Sequence, residues 1–119
     1  VNAMKASQFI AIPSFMSRLS IECIADVLEV MERAKKGHFE SYKILLTLVD
    51  PRLRMTNEYI MEELIPFKGR VLRTQITRNE AINQAQIARQ DVFAFAPGSR
   101  GAEDYAHLTQ ELLRLWESK

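Results

Sequence analysis

The 119-residue sequence has a single cysteine, Cys23, so it can form no intrachain disulfide and no cysteine-rich metal site. Its two histidines, His38 and His107, stand far apart, without the spacing of a zinc site. No apolar run approaches the ~20 residues of a membrane-spanning helix. No basic start followed by an apolar segment marks a secretory signal, so a reducing, cytoplasmic setting is expected. Glycine is scarce, with four residues at positions 37, 69, 98 and 101, each explicable as a helix end or a turn. There is accordingly no Gly-x-x-x-x-Gly-Lys-Ser/Thr loop and no glycine-rich dinucleotide fingerprint. Without a phosphate-gripping lysine and a magnesium-holding hydroxyl, phosphoryl transfer by this chain alone is not expected. A Gly-x-Ser-x-Gly elbow and a His-Glu-x-x-His helix are missing as well. Neither sign of charge dominates: sixteen Lys and Arg face fifteen Asp and Glu, for a net charge of +1. That balance excludes an extreme basic tail and an acidic mimic, and it leaves room for a local basic patch.

What is present is the composition of a packed domain, 47% hydrophobic and 26% charged, of a size that forms one unit over residues 1–119. Phe9-Ile10-Ala11-Ile12 is apolar on both faces, as a buried parallel strand requires, and Pro13 is expected to stop it. A helical period follows from Ser20 to Lys36, with Glu22, Asp26, Glu29 and Arg33 along its wet stripe and Gly37 as the stop. Cys23 sits among the apolar residues of this helix and reads as packing. Tyr42 to Val49 is the clearest strand, ended by Asp50-Pro51, and Thr56 is placed to cap a helix reaching about Ile65. Arg70 to Thr74 predicts a short third strand, and Asn79 caps a helix from Glu80 to about Ala88. Val92 to Phe95 predicts a fourth strand, and a last helix runs from about Gly101 to Trp116. Strand alternating with helix throughout argues for an α/β fold, a parallel sheet with flanking helices. A buried-type first strand with no layer before it would be a sticky edge unless other material pairs with it.

Ligands of open parallel sheets bind beyond the C-terminal ends of the strands, here the loops 13–19, 50–55 and 75–79. Asp50 is expected to order its own loop through a backbone turn. Arg78, beside the cap residue Asn79, either meets a ligand or is solvated. Arg52, Arg54, Lys68, Arg70, Arg73, Arg78 and Arg89 give the middle of the chain a run of cations. They form a phosphate-binding patch if folding gathers them, or a scattered wet surface if it does not.

The combination of segments resembles the C-terminal half of the ParA/Soj family of partition ATPases, which are related to MinD. The residues that carry the resemblance are Asn2-Ala3-Met4 and Ile12-Pro13; Leu45-Leu46-Thr47 through Asp50 and Arg52; and Val71-Leu72-Arg73-Thr74 with Ile76, Arg78 and Asn79. Pro97-Gly98-Ser99-Arg100-Gly101-Ala102 with Tyr105 and Glu111-Leu112 completes them. The resemblance implies part of a deviant P-loop NTPase fold. It also implies a cytoplasmic, nucleoid-associated parent that uses ATP and Mg2+, dimerises, binds DNA nonspecifically, answers to a centromere-binding partner protein and uses no membrane. Thr47, Asp50, Arg78 and Asn79 then match the segments near the adenine, and Arg52, Arg73 and Arg100 the DNA-facing surface, with Arg52 alternatively ordering its loop. The family's phosphate loop, switch residues and magnesium-holding aspartate precede the matched region, so this chain alone is expected to be inactive. Thr77 stands where many relatives carry proline, which leaves the base-edge loop less rigid. The rival expectation is a non-catalytic DNA- or protein-binding module, or a truncated regulator of a full-length relative.

Overall fold

The computed structural model describes residues 2–117. A short helix α1 (Asn2–Ala6) leads into strand β1 (Ile10–Phe15), helix α2 (Arg18–Lys35) and strand β2 (Tyr42–Thr47). Helix α3 (Arg54–Glu63) and a 3-10 turn (Ile65–Phe67) follow, then α4 (Glu80–Ile87), α5 (Val92–Phe95) and α6 (Arg100–Glu117). β1 and β2 pair in parallel, from Ile10 opposite Tyr42 to Phe15 opposite Thr47. The architecture is α/β, with helices on both faces of this sheet.

The central strand is apolar on both sides, with Ile44 and Leu46 fully buried and Leu45 nearly so. Because successive side chains point to opposite faces, Ile44 and Leu46 enter one core and Leu45 another. The first core joins them to Ile21 and Ile24 of α2 and to Ile60 of α3. The second packs Leu45, Leu72 and Ile76 under Ile82 of α4 and Tyr105, Leu108 and Leu112 of α6. Two-sided burial is what confines β2 to the middle of the fold.

Several sequence expectations change. β1 continues through Pro13 to Phe15, because Pro13 pairs in register with Leu45 while standing on an edge strand, where a missing N–H is tolerated. α2 starts at Arg18 rather than Ser20, capped by the Ser17 side chain, which accepts from Ser20 N; Lys36 closes it in the left-handed conformation. Cys23 is exposed rather than packed. α3 starts at Arg54 with no side-chain cap, so Thr56 is an interior residue.

The third strand survives only as two parallel bridges to the free side of β2, Ile44 with Val71 and Val49 with Thr77. Between them Leu72 N donates to Ile44 O at 2.8 Å and Ile76 N to Leu46 O at 2.9 Å, and only residues 73–75 leave the ladder. Arg73 N and Thr74 N each donate to the Glu111 carboxylate of α6 at 2.8 Å. Residues 92–95 form a helical turn and not a fourth strand. The Asp91 carboxylate caps it by accepting from Ala94 N at 2.8 Å, and Phe95 N donates to the Asp91 carbonyl at 3.0 Å.

Candidate functional site

The C-terminal ends of the parallel segments open into a cavity of about 470 Å³ between the sheet, α4 and α6. Thr47 ends β2 and lines it. Leu48 follows with φ +53°, a left-handed conformation unusual for leucine, and this turns the chain so that Val49 can rejoin the third segment. Val49 N donates to Ile76 O at 3.1 Å, and Arg78 N donates back to Val49 O at 2.8 Å. These bonds fix Arg78 and Asn79 at the cavity. Asn79 has a second task, its Oδ1 accepting from Ala81 N at 2.9 Å to cap α4. Phe15, Ile76, Ile82 and Tyr105 supply apolar wall, and Asn83 and Gln86 add amides.

Of the four residues expected at the base, Thr47, Arg78 and Asn79 line this one cavity. Asp50 does not line it and orders the adjoining loop. Its carboxylate takes Arg52 N at 3.1 Å and grips the Arg52 guanidinium at 3.0 and 2.8 Å. Asn57 clamps the Asp50 carbonyl at 2.9 Å. The Arg52 side-chain and backbone bonds, with the nearby Arg78 charge, hold the Asp50 carboxyl down to about 2. Arg78 therefore sits where its charge reaches both the loop and the cavity.

Of the three arginines expected to face DNA, Arg73 and Arg100 share a second, more polar cavity of about 390 Å³, together with His107 and Arg114. Arg52 lies outside it, committed to Asp50. An adjoining hollow of about 730 Å³ shares Arg73 and Arg114 and adds Lys43. The acidic groups within this region are engaged. Asp104, 4% exposed, accepts from Thr77 N at 2.9 Å and from Arg100 Nε at 3.0 Å. Burial pushes the Glu111 carboxyl up, and the Thr74 side chain, the Thr74 and Arg73 amides and the Arg114 charge more than offset this, so it rests below its ordinary value. Arg73 makes no ion pair among the described residues, so the surface is cationic despite the chain's balanced total.

Sequence reasoning did not single out Phe15, Leu48, Asn83, Gln86 or Tyr105 at the first cavity, nor His107 and Arg114 at the second. A signal for the latter exists: Arg100, Asp104, His107, Glu111 and Arg114 recur at four, three, four and three residues, one stripe of a helix. His38, exposed, pairs with Glu40 and Glu32, and the bond to Glu40 raises its basicity. Among the described residues no cluster of His, Cys, Asp and Glu could hold a metal ion.

The chain is 28% identical over 116 residues to the sporulation initiation inhibitor protein Soj of Bacillus subtilis, which covers 94% of this chain and 46% of Soj. It is a distant homologue of the ParA/Soj partition ATPases. The chromosome-partitioning ATPase Soj of Thermus thermophilus is 25% identical over 116 residues, 95% of this chain and 47% of that protein. A ParA family protein of Chlamydia trachomatis reaches 44% identity over 64 residues, 52% of this chain and 25% of that protein. The chain thus spans less than half the length of the ParA/Soj relatives it matches. No protein-family model matches it. No helix among the described residues is long and apolar enough to cross a membrane.

Proposed function

We propose that the chain is the C-terminal part of a ParA-like ATPase for plasmid or chromosome partition. In this reading it contributes the adenine-side pocket and a nonspecific DNA-binding surface. The observation that carries the reading is the gathering of Thr47, Arg78 and Asn79, from β2 and from the segment before α4, around one cavity at the strand ends. The lining suits a base. Phe15, Ile76, Ile82 and Tyr105 offer apolar contact, and Asn79, Asn83 and Gln86 offer amide donors and acceptors to a heterocycle edge.

The same residues do not suit a triphosphate with Mg2+, since the lining carries one cation, Arg78, and no glycine-rich cradle. ATP and Mg2+ therefore belong to the assembled parent, whose remaining part would hold the phosphates, while this chain orients the base. Dimerisation and a centromere-binding partner belong to that parent too. Arg73, Arg100, Arg114 and Lys43 would meet DNA phosphates by charge alone, with no base-reading element among them.

The test is twofold. The 119-residue chain should hydrolyse no ATP, and turnover that follows the purified chain through every column would refute the reading. Binding to random-sequence duplex DNA should weaken steeply with salt and fall further in Arg73→Gln with Arg114→Gln. Undiminished binding by that double variant would remove the surface from the account.

A further inference from the structure

His107 lines the second cavity together with Arg73, Arg100 and Arg114. On α6 it stands seven residues after Arg100 and seven before Arg114, so the three share one face. At ~1.5 Å of rise per residue, about 10.5 Å of helix separates it from each arginine. Between those arginines it is the only side chain of the helix able to carry positive charge. The imidazole is exposed, and it has no hydrogen bond or ion pair among the described residues.

The charges around it are of both signs. Glu103, Asp104 and Glu111 lie within about one turn of it on α6, and Arg73 comes from the facing segment, where Thr74, Gln75 and Thr77 are uncharged. Two of the carboxylates are tied to that segment. Asp104 accepts from Thr77 N and Arg100 Nε, and Glu111 accepts from Arg73 N and Thr74 N. Asp104 is buried and Glu111 half-buried, whereas the three arginines and His107 are exposed. Duplex DNA carries one charge per ~1.7 Å of its axis, so phosphates can reach the middle of the stripe as well as its ends. A phosphate at the middle meets Asp104 and Glu111 without a local counter-charge unless His107 is protonated. Neutral imidazole offers one N–H, and imidazolium offers two together with a charge. The arginines oppose that charge in the free chain, and an arriving phosphate favours it.

We propose that His107 is a phosphate ligand of this surface and is protonated as DNA binds. Arg100 and Arg114 meet phosphates at the two ends of the stripe with fixed charge, and His107 supplies the middle contact when it is charged. The chain then takes up a proton from solvent with the duplex and holds it more tightly as pH falls. The proposal rests on the DNA-binding part of the reading above.

The test is fluorescence anisotropy with a random-sequence duplex at fixed ionic strength, from about pH 8 to about pH 5.5, the range in which histidine ordinarily changes charge. The Kd should fall about five- to tenfold across that range. The slope of log K against log salt should steepen by about 0.9, the mark of one further phosphate contact. His107→Gln should show neither change. His107→Arg, with its fixed charge, should bind at pH 8 about as tightly as the wild type does at pH 5.5, which also shows that position 107 accepts substitution without loss of the fold. His38→Gln, at a residue paired with Glu32 and Glu40, should keep the full response. A response that survives in His107→Gln overturns the proposal, and so does wild-type binding that pH leaves unchanged. The two failures are separable. Salt-sensitive binding that Arg73→Gln with Arg114→Gln weakens, but that pH does not alter, removes His107 alone, whereas no binding at any pH removes the DNA-binding surface with it.

Discussion

Glu111 binds the segment that leaves the ladder after Leu72, and removing it is the sharpest test of what holds that segment in place. Its two carboxylate oxygens each accept one amide, Oε2 from Arg73 and Oε1 from Thr74, both at 2.8 Å. Hydrogen bonds to a charged acceptor contribute roughly 1.5–3 kcal/mol each when sheltered. The position is half-buried, and water can reach freed amides, so Glu111→Leu should cost about 2 kcal/mol in total rather than the full sum. For a domain near this size that is roughly an 8 °C fall in Tm. Glu111→Gln keeps one acceptor oxygen and should cost about half as much. The carboxyl is held below its ordinary value in the folded chain. Its stabilisation is therefore fully present above the unfolded value, near 4.3, and fades as pH falls through the lower folded value. Urea denaturation of both chains at pH 7 and again near pH 3 tests this. The gap between wild type and Glu111→Leu should be widest at pH 7 and shrink in acid. A gap under about 0.5 kcal/mol at neutral pH, or one that widens in acid, would refute the latch.

Gly101 lies where α6 meets α4, and a Cβ there would stand 2.6 Å from Ile82 Cγ1. Gly101→Ala should therefore destabilise by about 1–3 kcal/mol, and it should narrow the first cavity because Ile82 lines it; thermal melts and an NMR map of residues 76–86 check both. Asn79→Ala removes the α4 cap and should cost about 1 kcal/mol, whereas Asn79→Asp should retain the cap and most of the stability, as read from chemical denaturation. Asp50, held to about 2 by Arg52, should keep the 50–53 loop ordered down to about pH 3 and release it as pH drops further. Exchange rates of the Arg52 and Leu53 amides that rise already between pH 6 and 4 would contradict that assignment.

The segments legible in the sequence were those in which local and tertiary preference agree. Tyr42 to Thr47 is apolar on both faces and central, so its reading needed no partner to be known. Asn79 is followed at once by a helical period, and it caps α4 as expected. Misreadings fall where a distant group decides. Arg70 to Thr74 has the residues of a strand and keeps the Leu72 amide on Ile44, yet the Arg73 and Thr74 amides go to the Glu111 carboxylate, 37 positions from Thr74. Val92 to Phe95 is apolar enough for a strand, but the Asp91 side chain closes a helical turn first. Pro13 ended a strand on paper because the paper does not show which edge its nitrogen faces. At the sites, Thr47, Arg78 and Asn79 could be named from motif segments. Phe15 could not, and Tyr105, though part of a matching segment, was not tied to this cavity, since only the fold brings β1 and α6 together there. The cationic stripe of α6 was present as a regular spacing, hidden by its alternation with Asp104 and Glu111.

The most direct test of the account is an NMR titration of the 119-residue chain with adenosine, which carries a base without phosphates. The account predicts weak, saturable shifts centred on Thr47, the residues from Ile76 to Asn83, and Tyr105, reduced in Arg78→Ala with Thr47→Val. No shift in those residues at millimolar adenosine, or shifts centred on Arg73 and Arg114 instead, would contradict the claim that this cavity takes the base.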